Sequence, residues 1–216
     1  VEAGEVAARY IAALKETGGQ GDSGVLAAFR LTRKVGQELG DFLTHAAAQG
    51  WDAALKSRGL GDLTGQPREV LAQGLSAALG GSQGGLEAAV IRVSLTEVLR
   101  QYLPDPEGVR TQSSPYPGPD PPRMVQKFLA IALYQRLVLD LGEPLEAAGR
   151  SWGDLRLGLE GLQGWVEAAA PDRDRGPVPP PGQWSGLDGW LWVSALMGIL
   201  LAGLGEAHRG GYSVKV

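Results

Sequence analysis

His45 and His208 are the only imidazoles in this 216-residue chain, and it has no cysteine. Without a thiol there can be no disulfide framework, thiolate nucleophile, cysteine zinc site or iron–sulfur cluster. Two histidines also fall short of a three-histidine catalytic metal site. His45 follows Asp41 by four residues, a spacing that puts both on one face of a helix and would let the carboxylate orient an imidazole as a base. No nucleophile or metal partner accompanies them, so an exposed i,i+4 pair is expected. Asp172 and Asp174 alternate with Arg173 and Arg175 between prolines and read as a solvated charge run. Gly80-Gly81-Ser82-Gln83-Gly84-Gly85 has the look of a nucleotide loop, but it lacks the Lys and Ser/Thr that reach phosphate and magnesium, and no strand precedes it. A plain interhelical turn is expected there. The residues therefore offer no catalytic, cofactor-binding or metal-ligating set, and the chain is expected not to be an enzyme.

Two clusters could carry binding instead. Arg30, Arg33 and Lys34 share a helical face with no acid between Val25 and Gln37, the kind of group that contacts phosphate. Three charges in a chain of net charge −4 do not favour nucleic acid. Five of the six tryptophans, Trp152, Trp165, Trp184, Trp190 and Trp192, fall in the last third. Aromatic side chains anchor both cores and interfaces, and this clustering beside a Pro-rich segment is read as a partner-docking surface.

The elements that must position these residues are helices. Ala3, Val6, Ala7, Tyr10, Ile11 and Leu14 recur at helical spacing, and Gly18-Gly19 ends the run. Asp22 or Ser23 caps a longer segment whose apolar stripe, Val25 to Ala46, reaches Gly50. A short turn or helix from Trp51 follows, then a loop from Leu60 whose Pro67 opens a helix running to Leu79. Leu86 to Leu103 makes a further helix, with Ala89, Val90, Val93, Val98 and Leu99 at buried positions. Residues 104–122 hold seven of the fourteen prolines and bar a helix. Met124 to Leu141 is the expected central core helix, and Trp152 to Ala169 another. The 33 glycines, twice the usual share of about 7%, read as punctuation between helices.

The organisation expected is thus an all-α helical domain over 1–170 with a Pro-rich loop at 104–122, a Pro-rich linker over 171–186, and a hydrophobic C-terminal helix and tail over 187–216. Gly189 to Gly205 carries no charge and is the one membrane candidate, at the short limit of a span. Burial against the domain or a partner is preferred for it. No signal-peptide pattern opens the sequence, and cytoplasmic residence is expected.

Several segments together resemble the QatB family, a component of bacterial Qat anti-phage defence systems. They begin with Ala8-Arg9-Tyr10 and its following Gly-rich turn, and continue with Arg33-Lys34-Val35-Gly36. Leu60-Gly61-Asp62-Leu63-Thr64-Gly65-Gln66-Pro67-Arg68-Glu69-Val70 looks like that family's L-x-x-L-x-G-x-P-x-E-V segment. The Gly80-Gly81 turn with its Arg92- and Glu97-bearing helix follows, then an apolar helix ending in Arg136, Asp140 and Gly142, and the helix after Trp152. The resemblance spans residues 8 to 168. It implies a non-enzymatic subunit working beside an ATPase, a QueC-like protein and a TatD-like nuclease, as binding partner or modification substrate of the QueC-like protein. The other readings that the residues allow are a membrane-associated protein anchored by its C-terminal helix and a helical nucleic-acid-binding subunit.

Overall fold

Ala- and Leu-rich segments closed by glycine or proline favour helix locally. The computed structural model describes residues 3–17, 22–81, 84–103, 120–147 and 177–207, with Ser151, Gly153 and Arg156. Among the described residues the regular elements are helical: α1 (Ala3–Thr17), α2 (Asp22–Ala28), α3 (Arg30–Gln49), α4 (Trp51–Ser57), a 3₁₀ turn at Gly61–Leu63, α5 (Arg68–Gly80), α6 (Leu86–Tyr102), α7 (Pro121–Ala147) and α8 (Leu187–Ala207). The fold is all-α. Apart from Gly153 and Arg156, which are helical, the expected helix at 152–169 lies outside the described residues, as do nearly all of the Pro-rich loop, Asp172 to Arg175, His208 and the tail.

Three local readings are corrected. The segment expected as one helix from Asp22 to Gly50 breaks at Phe29, whose φ of −108° and ψ of 26° leave the helical range. Its N–H bonds instead to the Leu26 carbonyl at 3.2 Å, and the tight turn delivers the Phe29 ring into the core. The prolines at 121 and 122, expected to bar a helix, open α7. Asp120 caps it, its carboxylate accepting from the Arg123 N–H at 3.2 Å and its carbonyl from the Met124 N–H at 3.0 Å. A proline costs nothing in a first turn, where its missing N–H has no helical partner anyway. On α6, Ala89 and Val93 face outward. That helix packs against α5 and α7 together, so its buried arc runs through Ala88, Ile91, Leu95, Val98 and Leu99.

Helix α7 is apolar nearly all round and packs against α3, α6 and α8, as a central helix must. Helix α8 lies against α1, α3 and α7 and sends Trp192, Val193, Leu196, Met197, Leu200, Leu201 and Leu204 into the same hydrophobic cluster that holds Tyr10, Phe42 and Phe128. Leu187–Leu204 is long and apolar enough to cross a membrane, and 50% of it is buried against the other helices.

Candidate functional site

The predicted binding residues converge, in part, on the contact between α3 and α8. Gly36 and Gly40 make that approach possible. A Cβ at Gly40 would overlap the Trp184 ring, and one at Gly36 would sit 3.2 Å from Leu129 Cδ2 and 3.4 Å from Val193 Cγ1. The Gln37 side-chain amide donates to the carbonyls of Trp184 and Gly186, each at 2.7 Å, and so fixes the entry to α8. Trp184 and Trp192 meet edge to face with centroids 5.2 Å apart. They are only 1% and 4% exposed, which corrects the docking reading for these two: they are core residues. Trp190 is half-buried beneath Arg33, whose guanidinium carbon lies 4.5 Å from the ring centroid. Trp152 and Trp165 lie outside the described residues.

The basic patch also divides. Arg33 turns inward, is 8% exposed and donates to Ser194 Oγ at 2.9 Å. Burial, with the Arg30 charge beside it, holds its guanidinium below the usual proton affinity. Arg30 and Lys34 stay exposed, and Lys34 lies 4.0 Å from Glu38. Asp41 pairs with Arg58 at 2.7 Å, because α4 folds back along α3.

A second arrangement, which the residue types did not single out, lies on the outer face of α5 and α6. Much of the segment from Leu60 to Val70 is structural. Leu63 fills the space over Gly74, where a Cβ would sit 2.6 Å from its Cδ1, and Gly65 turns the chain at φ +73°. Pro67 caps α5 one position earlier than expected, its carbonyl accepting from the Leu71 N–H at 2.9 Å. The last two residues differ: Val70 is exposed, and Glu69 reaches Arg100 at 3.5 Å across the pair. An open groove of about 650 Å³ runs beside them, lined by Gln73 of α5 and by Arg92, Val93, Thr96, Glu97 and Arg100 of α6. Thr96 holds its floor, lying 2.9 Å from the Ser76 hydroxyl and donating to the Arg92 carbonyl at 2.8 Å. Val93 is 54% exposed in this polar setting. The available signal was an apolar residue on the wrong face of an otherwise amphipathic helix.

Two more resemblance segments meet at a half-buried node. The Tyr10 hydroxyl donates to Asp140 at 2.6 Å, and Arg136 Nε donates to the same oxygen at 2.7 Å. Burial, then the Asp140 hydrogen bond and charge, push the Tyr10 phenol well above its ordinary value. Burial works against the Arg136 charge, but Asp140 together with Tyr10 and Glu87 outweighs it and raises the guanidinium. The node ties α1 to α7. Among the described residues, no group of three or more carboxylates and imidazoles is placed to hold a metal ion.

A family model described as Qat anti-phage system associated protein QatB matches residues 18–169. The match takes in α2 to α7 and the α5–α6 groove, and leaves α1 and α8 outside. No curated protein and no solved structure matches the chain.

Proposed function

Because the chain belongs to the QatB family, a component of anti-phage defence systems, we propose that it serves there as a non-enzymatic accessory subunit, binding partner or modification substrate of the system's QueC-like protein. The α5–α6 face is the contact we assign to it. The observation that carries this reading is exposed Val93 set among Arg92, Glu97 and Arg100 in one groove inside the matched span, with exposed Val70 and the Glu69–Arg100 pair on the same two helices. An apolar centre with a charged rim is the composition of a protein interface. The ATPase and the TatD-like nuclease are the other partners of this reading, and the cytoplasm is its compartment. An anchoring role for α8 is not favoured, since inserting it in a bilayer would strip Trp192, Leu196, Met197 and Leu200 out of the core. The test is gel filtration of the purified full chain mixed with the QueC-like protein of its system. A single peak at the summed mass is expected, and two unshifted peaks overturn the proposal.

A further inference from the structure

The corner where α3 meets the start of α8 holds a charge that the described residues leave without a counter-ion. Arg33 is over nine-tenths buried, its Nε has no hydrogen-bond partner, and among the described residues no carboxylate pairs with it. A guanidinium in that position is costly unless something anionic arrives to meet it. Ser194 and the Trp190 ring hold it in place meanwhile, so its geometry is set before any ligand binds.

Beside it the surface is apolar. Leu187 and Leu191 are 69% and 55% exposed and flank Trp190 on α8. The two helices run antiparallel: Gln37 touches Trp184 and Gly186, while Arg33, one turn earlier on α3, touches Trp190 and Ser194. Arg30 and Lys34 therefore stand along the same edge. Among the described residues the acids there are Glu38, which faces Lys34, and exposed Asp188. The described residues of the corner carry a net positive charge on a chain whose total is −4.

We propose that this corner docks an acidic, aliphatic segment of a protein partner, its carboxylate closing on Arg33 and Arg30 and its Leu- or Ile-like side chain seated on Leu187, Trp190 and Leu191. Arginine and tryptophan side by side are the residues most enriched at interface hot spots. An anionic membrane fits less well, because stable attachment through charge takes a polybasic patch and this edge includes Asp188. The surface is distinct from the α5–α6 groove, and the proposal rests on the reading that the chain works by contact with other proteins of its system.

The experiment is calorimetric titration of the full chain with each of the QueC-like, ATPase and nuclease proteins, for the wild type and for Arg30→Glu and Leu191→Asp. Both altered side chains are exposed, so thermal melts should match the wild type. At least one partner is expected to lose tenfold or more in affinity with each variant, and its wild-type binding to weaken as salt rises. If partners bind but either variant leaves every affinity unchanged, this inference fails and the function reading stands. If no partner binds, both fail. Wild-type binding to phosphatidylserine-containing vesicles that both variants lose, in place of any protein effect, would make the corner a membrane contact and overturn the inference.

Discussion

Two helix contacts in this molecule are made by glycine in different ways. Helices α5 and α6 are consecutive, and the glycines between them turn the chain: Gly81 at φ +72° and Gly85 at φ +108° sit where a side chain would be strained, while Gly74 inside α5 makes room for Leu63 and not for α6. Helices α3 and α8 are far apart in sequence, and the glycines lie inside α3, where Gly36 and Gly40 remove side chains so that Leu129, Val193 and Trp184 can press against the backbone. A helix-interior glycine costs about 1 kcal/mol relative to alanine, so its use there marks a contact that cannot be made otherwise. The first pair leaves an open groove with Val93 among charged side chains, and the second shuts on two tryptophans. Substitutions should therefore cost stability at the buried face of the second pair and binding at the outer face of the first.

The largest effect should come from Trp184→Ala. It removes a ring that fills the α3–α8 seam and its edge contact with Trp192, and urea unfolding should show a loss of about 4 kcal/mol. Gly40→Val should follow at about 3 kcal/mol, since the added carbons enter space the Trp184 ring occupies. A value near that of an exposed alanine change would mean the seam is looser than the contacts imply. A smaller effect concerns α1, which packs beside α8. The Tyr10 phenol is harder to ionise folded than unfolded, so its contribution is complete below pH ~10 and is lost as pH rises beyond it, where the unfolded chain gives up that proton first. Tyr10→Phe should cost about 1 kcal/mol at neutral pH and make alkaline unfolding less steep, as read by melts between pH 8 and pH 11.

Helix positions were legible because apolar period and glycine or proline stops are local signals. Phe29 escaped that reading because its break is imposed by burial of one ring, a tertiary effect acting on a sequence that is helical on either side. Pro121 and Pro122 escaped it because proline forbids a helix interior and suits a helix start, and only the Asp120 cap decides between them. The tryptophans show the same limit at a larger scale. The preference that makes tryptophan an interface anchor also makes it a core residue, and what separates them here is Gly40, distant in the chain, leaving room for the Trp184 ring. The glycine excess, read as punctuation, is punctuation at Gly81 and Gly85 and close packing at Gly36 and Gly40. Val93 was misplaced because a helix buried on two flanks has a rotated apolar arc, and that rotation depends on α5 and α7 together.

The central claim is that the outer face of α5 and α6 meets the QueC-like protein. Its most direct test is calorimetric titration of that protein with the full chain carrying Val93→Asp and Arg100→Glu, both exposed positions whose replacement should change stability by no more than about 0.5 kcal/mol each. The account predicts affinity weakened tenfold or more at an unchanged melting temperature. Wild-type affinity in the double variant would contradict it.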